Sequence, residues 1–549
     1  MRFFNSKRFV FLSLVFCFVL RVHHELQFPL LESDYAIQIE AARNFSEGSG
    51  FSNSSVHASD LSKVDHVPLK RWPVGYPLLI WLCKFIAGSW IRAQLLLQVL
   101  AVVLLIIAFR YILGLFRVGL VTSGLFFIWL GLTPSPFFYL GTSDVITGGF
   151  FLLALFLIFK TLAKERWFSV HSMLAAFLLF ASATVRFACI PNLVIFPLFL
   201  FVLFIFLKEK RYLYLSLFLL SVPFIAIFLF YSLFPIDSSR TGFIGNLIHL
   251  NLYFSNLQWF DPFPVKAFYF ARPLEFRFPD SKLFILIYRV GMLALSALIV
   301  FLLCRHLYRS EKVRSVREYL LKDTPRAHLL SVFIFTGIVI AGFLILQSLA
   351  WAPEKDSFGP KWMPPLWTFV YTPRYYLWLM LLLQLMAVLW MDDRLAAFAG
   401  RPRGLVLPFS IYGALMAFSV FYFVFINFQF YSPNGNGGGS EWRNQRDEIT
   451  IIEIVEKQRI DSPGSNIVIT SVKRKDYPAP VLLLADASYS TEYKSILNGD
   501  FNCSGGNNIL YVYTPKDMLE EQHAGIISKW GVPEKTRLAD GDLYKFILK

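Results

Sequence analysis

Apolar runs close to 20 residues long recur along the first 430 positions of this 549-residue chain. Each run is long enough to cross the roughly 30 Å hydrocarbon core of a bilayer as a helix. A backbone inside lipid must satisfy its own hydrogen bonds, so only helices and closed barrels span. Barrel strands are much shorter and alternate in polarity, which these runs do not. The chain is therefore expected to be a polytopic α-helical membrane protein. Its composition agrees: 56% hydrophobic, 59 phenylalanines, and only 16% charged residues, against about 25% in an ordinary soluble domain.

The net charge of +15 is not read as a nucleic-acid footprint. The basic residues gather in short connections between apolar runs, as the positive-inside rule requires. These connections are Arg110 and Arg117; Lys160, Lys164 and Arg166; Lys208, Lys210 and Arg211; the stretch CRHLYRSEKVRSVREYLLKDTPRAH; and Arg394, Arg401 and Arg403. Placing all five in the cytoplasm predicts spans near 9–22, 92–113, 118–136, 145–163, 168–185, 191–207, 212–233, 281–304, 328–350, 375–391 and 405–430. That is about eleven crossings, with the N-terminus cytoplasmic and the C-terminus external. The start, MRFFNSKRFVFLSLVFCFVL, has the basic and apolar regions of a signal sequence. No small-x-small cleavage site follows, so it is expected to stay as a signal-anchor. The five cysteines show no metal or disulfide spacing and are read as small hydrophobes.

This topology makes residues 23–91 one long external loop, with others at 234–280 and 351–374. The apolar segment GYPLLIWLCKFIAGSW lies within the first loop. Counting it as a span would put the Arg110/Arg117 end outside, and it is short and carries Lys84. It is expected to lie in the interface or to dip in and return. Function tends to concentrate on long loops, here on the outer face. After a Gly/Asn-rich linker at 431–443, residues 444–549 are expected to form an external α/β domain. DEITIIEIVEKQR and PKDMLEEQHAGIISKWG read as helices, and SNIVITS, APVLLLAD and NILYVYT as strands. RLADGDLYKFILK reads as a hairpin around Asp-Gly. No GxGxxG, P-loop or nucleophile elbow is present in it.

The stretch LESDYAIQIEAARNFSEGSGF follows the first span directly. Ile37, Ala41 and Phe45 recur at i, i+4 and i+8, one stripe of an amphipathic helix. Asp34 falls at its start, where a carboxylate can cap the helix by accepting backbone N–H groups. On the helix alone, capping is the simpler reading. A second acid, Asp144, stands at the outer mouth of a span in TPSPFFYLGTSDVITGG. Acids at that depth are costly unless paired, hydrated or used. Arg289 sits about two turns inside its predicted span, and Arg186 at the outer end of another. Asn44, Asn53 and Asn502 begin N-x-S/T tripeptides, which arise often by chance.

These stretches resemble the polyprenyl-phosphate-sugar-dependent glycosyltransferases of the GT-C superfamily, which include the protein O-mannosyltransferases and the lipid A aminoarabinose transferases. The resemblance rests on Asp34-Tyr35, Ala41 and Gly48–Gly50; on Pro73, Gly75, Tyr76 and Pro77; on Arg92 opening the second span; on Asp144 after an SP…Y stretch; and on Arg374-Tyr375 opening a late span. It is strong over residues 30–165 and near 374. The chain departs from the family after Asp34, where Tyr stands in place of the common Glu, with Glu32 a weaker stand-in.

The resemblance implies an inverting transfer of a sugar from a lipid-linked donor on the periplasmic or lumenal face, catalysed without a cofactor. Asp34 would be the general base, and Asp144 would orient the acceptor or Arg92. Arg374 and Arg92 would bind the leaving phosphate, although each could also simply snorkel at a helix end. Tyr375, Tyr35, Tyr76 and Arg289 complete the implied substrate site. The loop acids are too sparse for the metal site seen in the oligosaccharyltransferase branch, so no catalytic metal is expected. The implied partners are the polyprenyl-phosphate donor, the membrane and an acceptor that is protein, lipid or glycan. The principal alternative is a polytopic transporter or a flippase of envelope glycan precursors. Such proteins commonly show repeated halves and broken helices, neither of which is visible here.

Overall fold

The computed structural model describes residues 6–27, 33–57, 60–69, 73–132, 143–164, 167–234, 282–311, 318, 319, 322, 324–350 and 377–398. In the C-terminal part it describes 450–462 except 452, then 466–471, 508–515, 529, 531–538 and 541–548. The chain divides into two compact units. One comprises Met1–Phe28 with Gln98–Phe423, and the other Pro29–Leu97 with Val424–Lys549.

The first unit is helical. Its elements are α1 (Lys7–Gln27), most of α4 (Trp90–Leu115), α5 (Leu120–Leu132), α6 (Asp144–Leu162), α7 (Val170–Val185), α8 (Asn192–Leu207), α9 (Lys210–Leu233), α10 (Lys282–Ser310), α11 (Pro325–Ala350) and α12 (Leu377–Phe398). These helices overlie every predicted span but the last, 405–430, which lies outside the described residues. Among the described residues, four helices are long and apolar enough to cross a membrane: Trp90–Leu115, Asp144–Leu162, Lys210–Leu233 and Pro325–Gly342. Helices α5, α7 and α8 are apolar but shorter. Helix α1 presents Phe11, Leu12, Val15, Phe16, Phe18 and Val19 outward, an apolar face suited to lipid.

Glycine sets the close contact between α1 and α5. Helix α1 packs on α5, and a Cβ on Gly131 would stand 3.0 Å from the Cα of Cys17. One on Gly124 would overlap the Phe9 ring. Small residues of this kind let helix backbones approach in lipid. The buried Arg21 then donates from Nε to the Leu130 carbonyl at 2.9 Å, meeting its charge with a backbone acceptor.

One end of this unit gathers all five basic connections. Asp392 accepts from the Gly119 N–H at 3.0 Å and the Thr122 hydroxyl at 2.7 Å. Asp393 accepts from Arg326 at 2.6 Å and faces His306 Nε2 at 3.0 Å. Phe116 meets Phe159, Phe159 meets His328, and Trp167 meets Tyr214. The chain ends flanked by Arg117, Lys160, Lys208, Arg309 and Arg394 therefore share one pole, as the charge pattern predicts.

The second unit holds α2 (Ser33–Ser46), an antiparallel hairpin of β1 (Ser52–His57) and β2 (Asp60–Pro68), and α3 (Gly75–Ala87). Helix α3 has 13 residues, a length of about 20 Å, too short to span and consistent with an interfacial segment. Leu82, Phe85 and Ile86 are exposed on it. The C-terminal part of the unit is a mixed four-stranded sheet in the order β3-β4-β6-β5. Its strands are β3 (Asn466–Ser471), β4 (Asn508–Pro515), β5 (Glu534–Arg537) and β6 (Gly541–Leu548). Strands β3 and β4 run parallel, and β5 and β6 form the expected hairpin. Helical residues 453–461 match the first predicted helix. The predicted strand APVLLLAD and nearly all of the second predicted helix lie outside the described residues.

The reading of α2 needs correction. It is not a one-sided stripe: Gln38, Glu40, Arg43 and Asn44 are buried along with Ile39, Ala41 and Ala42, while Ile37 and Phe45 are only half-buried. The helix packs against both β1 and α3. Polar side chains can face inward because the hairpin supplies their partners.

Candidate active site

In the second unit, α2 begins six residues after the end of α1. Asp34 and Tyr35 fall in its first turn; their side chains lie outside the described ones, as do Glu32 and the Arg374-Tyr375 pair. At the other end of α2 the chain reverses through Gly48 (φ 89°) and Gly50 (φ 70°). Both angles are in the left-handed region that glycine adopts without strain. Phe45 stacks on Phe51 across this turn at 4.2 Å and meets Trp81 of α3 edge-on at 5.4 Å.

A buried hydrogen-bond net ties α2 to β1. Asn44 Nδ2 donates to the Ser52 carbonyl at 2.8 Å and to Ser54 Oγ at 3.0 Å. Asn53 Nδ2 donates to Glu40 Oε2 at 2.7 Å and to the Ile37 carbonyl at 3.2 Å. The Ser54 N–H donates to Glu40 Oε1 at 2.9 Å. Two of the three N-x-S/T asparagines thus make structural hydrogen bonds, Asn44 buried and Asn53 half-buried. Burial pushes the Glu40 carboxyl up to about 7, against the opposing pull of Asn53, Arg43 and Ser54.

Tyr76 is a buried packing residue whose hydroxyl accepts from Gln94 Nε2 at 2.9 Å. It fixes the start of α3 to the first turns of α4. Arg92 is exposed in the first turn of α4, its N–H on Ser89 Oγ at 3.3 Å. Sequence reasoning missed Glu456, an acid whose carboxylate feels the charge of Arg92. That carboxylate accepts from the Trp90 N–H and lies in the field of Lys84, Arg459 and Arg92, yet burial still raises it. Arg459 also reaches Glu47, at the end of α2, at 3.9 Å. The C-terminal helical segment therefore braces the first loop at two points.

In the first unit, the pole opposite the basic connections carries Asp144. It is the first residue of α6, 1% exposed, and it forms an ion pair with Arg186 at the end of α7. Arg186 is itself buried, 6% exposed, its guanidinium held within the first unit by this acid. Beside the pair, the Cys189 thiol is hydrogen-bonded to Thr147. Asn192 opens α8, fully buried, and neither of its amide atoms has a hydrogen-bond partner among the described residues. Trp378 of α12 lies 5.5 Å from Phe151, its Nε1 likewise without a partner there. Helix α12 thus starts at the Asp144 pole. Arg289 is placed in the second turn of α10, its side chain outside the described ones. Among the described residues no cluster of three or more His, Cys, Asp or Glu groups could hold a metal.

These features define a polytopic helical membrane protein with a buried ion pair at one helix pole and a structured first loop. No family model and no curated protein matches the chain. Among solved structures it is similar to ArnT from Cupriavidus metallidurans bound to undecaprenyl phosphate, with 13% identity over 98% of this chain and 97% of that one, TM-score 0.39. It is also similar to the archaeal oligosaccharyltransferase AglB from Archaeoglobus fulgidus, in complex with an inhibitory peptide and a dolichol-phosphate. There the identity is 12% over 93% and 69% of the two chains, TM-score 0.41. An apo oligosaccharyltransferase of the same organism gives 9% identity over 93% and 70%, TM-score 0.42. With TM-scores below 0.5, the likeness transfers no residue role to this chain.

Proposed function

We propose that the chain is an integral membrane glycosyltransferase that moves a sugar from a polyprenyl-phosphate donor to an acceptor on the external face. The observation that carries this reading is the placement of Asp34. It stands in the first turn of a helix that starts where the chain leaves its first apolar helix, and that helix is held by buried hydrogen bonds rather than left as a loose loop. A donor with its tail in lipid presents its anomeric carbon at this same boundary. The family-like motif of Asp34-Tyr35, Gly48–Gly50 and Pro73 to Pro77 supports the same assignment.

In the proposed step the Asp34 carboxylate takes the proton of the acceptor hydroxyl. The acceptor oxygen bonds to the anomeric carbon as the bond from that carbon to the phosphate oxygen breaks. The electron pair leaves with the lipid phosphate, and one displacement inverts the carbon. Arg374 and Arg92 would hold the departing phosphate, since guanidinium groups bind such oxyanions bidentately. Asp144 would act as a positioning residue through Arg186. The basic pole would be cytoplasmic and the Asp144 pole external, with eleven spans and residues 444–549 outside.

Full-length protein in nanodiscs, offered undecaprenyl-phosphate-linked hexoses and pentoses with envelope extract as acceptor, should release free undecaprenyl phosphate. Asp34→Asn is nearly isosteric yet should lower release by roughly 100-fold. Undiminished release by Asp34→Asn would remove the base assignment.

A further inference from the structure

We propose that the seam between α4 and α6 at the basic pole holds one anionic phospholipid of the leaflet there, its phosphate on Arg110 and Lys160 and an acyl chain along the outward stripe of α4. The two helices meet closely. A Cβ on Gly149 of α6 would stand 3.0 Å from the Leu104 side chain and 3.3 Å from the Leu105 nitrogen of α4. Small residues permit this kind of approach between helices in lipid. Nearer the basic pole, Tyr111 stacks on Phe156 with ring centroids 5.3 Å apart. Gly149 to Phe156 and Leu104 to Tyr111 are equal steps along the two helices, which therefore run parallel. Lys160 then comes level with the last turn of α4.

Two cations gather around this aromatic pair. Lys160 Nζ lies 5.4 Å from the centre of the Phe156 ring. Arg110 is exposed and reaches along α4 to the next turn, where a Cβ on Gly114 would stand 3.2 Å from its Nη1. Neither cation forms an ion pair with an acid among the described residues. Helix α4 contains no acid, and α6 only Asp144 at its far end. Lys164 and Arg117 stand exposed just beyond the two helices and add to the positive field. Snorkelling would explain Arg110 alone. It does not account for a second unpaired cation brought from another helix to the same pair of rings. A guanidinium and an ammonium both donate to phosphate oxygens, and an amphipathic tyrosine ring belongs at headgroup level.

The helix surface below the cations fits an acyl chain. Leu100 and Ile107 are exposed and Leu104 is half-buried. At i, i+4 and i+7 they form one outward stripe that ends at Arg110 and Tyr111. From Leu100 to Arg110 the helix rises about 15 Å, half of the roughly 30 Å hydrocarbon core. That is the depth of one leaflet. On α6, the half-buried Leu153 and Leu157 line the other side of the seam. This pole is opposite the one that carries Asp144, so the lipid is not the donor proposed above, and the inference stands apart from the transfer reaction.

Native mass spectrometry of the detergent-solubilised full-length protein, titrated with dioleoyl phosphatidylglycerol or dioleoyl phosphatidylcholine, tests the site. Two cations at headgroup level favour an anionic lipid by roughly 30-fold, so the first phosphatidylglycerol should bind that much more tightly than the first phosphatidylcholine. The double variant Arg110→Gln/Lys160→Gln should bring the two lipids close to parity. Lys208→Gln/Lys210→Gln removes the same charge from the connection between α8 and α9 and should keep most of the preference. None of the four side chains is buried, so both variants should fold. A preference retained in Arg110→Gln/Lys160→Gln would overturn the proposal. So would an equal loss in the second pair, which would mark a field spread over the whole pole. A loss confined to added undecaprenyl phosphate, with phosphatidylglycerol unaffected, would give the seam to another lipid and overturn it as well.

Discussion

The Asp144 carboxylate and the Arg186 guanidinium, 42 positions apart in sequence, meet as a buried ion pair between the start of α6 and the end of α7. Removing one partner strands the other charge where water does not reach, which typically costs 3–5 kcal/mol. Asp144→Asn and Arg186→Leu should each lower the thermal midpoint of the detergent-solubilised protein markedly. The double variant should lose less than the sum of the two. Additive losses would mean the two charges are not coupled.

Asp144 and Asp34 should also separate by phenotype. Asp144→Asn is expected to reduce stability and transfer together. Asp34→Asn is expected to reduce transfer with an unchanged midpoint. Loss of turnover in Asp144→Asn with full stability would move the base to Asp144.

The α1–α5 contact gives a prediction without any substrate. Gly131→Ala pushes a methyl against the Cys17 backbone at 3.0 Å, an overpacking that costs about 1–3 kcal/mol. Gly291→Ala meets nothing within 4 Å and should be neutral or stabilising by up to about 1 kcal/mol, from helix propensity. Midpoints of the two variants, measured side by side, check the contrast.

At the basic pole, burial raises Asp393, but hydrogen bonds from His306 and Arg326 and their charge outweigh it and hold the carboxyl below its ordinary 3.8. Its folded value is depressed, so the stability it contributes is present above 3.8 and is lost as pH falls through the folded value. Asp393→Asn should lower the midpoint at pH 7 and narrow its gap to the unaltered protein as the medium is acidified below pH 4. A constant gap would exclude the ionic contribution.

Orientation can be read with an impermeant maleimide on a cysteine-free background. Lys63 is 66% exposed at its side chain, in the first loop, and Arg309 lies exposed at the basic pole. Lys63→Cys should label in intact cells and Arg309→Cys only after permeabilisation. The reverse pattern would invert the topology and remove the active-site placement with it.

What was legible in the sequence was whatever carries a hydrophobic period. The helices of the first unit, the short α3 and strands β3, β4 and β6 show in the spacing of apolar residues, while β5, EKTR, is exposed throughout and carries none. The β1–β2 hairpin does not show either. Its inward positions include Ser52 and Ser54, so SNSSVH offers no apolar alternation to detect. Glu40 was invisible for a related reason. A buried carboxylate is recognisable only once its partners, 13 and 14 residues on, are in place. The Asp144–Arg186 pair lies between: both residues could be put at outer helix ends from charge and hydropathy, but the match between them needed the packing of α6 on α7.

The structural hydrogen bonds of Asn44 and Asn53 bear on how the protein can be made. In a eukaryotic secretory host, both tripeptides would meet the glycosylation machinery as unfolded chain, before α2 and the hairpin close. A glycan on Asn44 would occupy the amide that must reach Ser52 and Ser54, and one on Asn53 would block Glu40. Material from such a host would be heterogeneous, with the glycosylated fraction unable to complete the loop. A bacterial host without that machinery would give chains that fold alike.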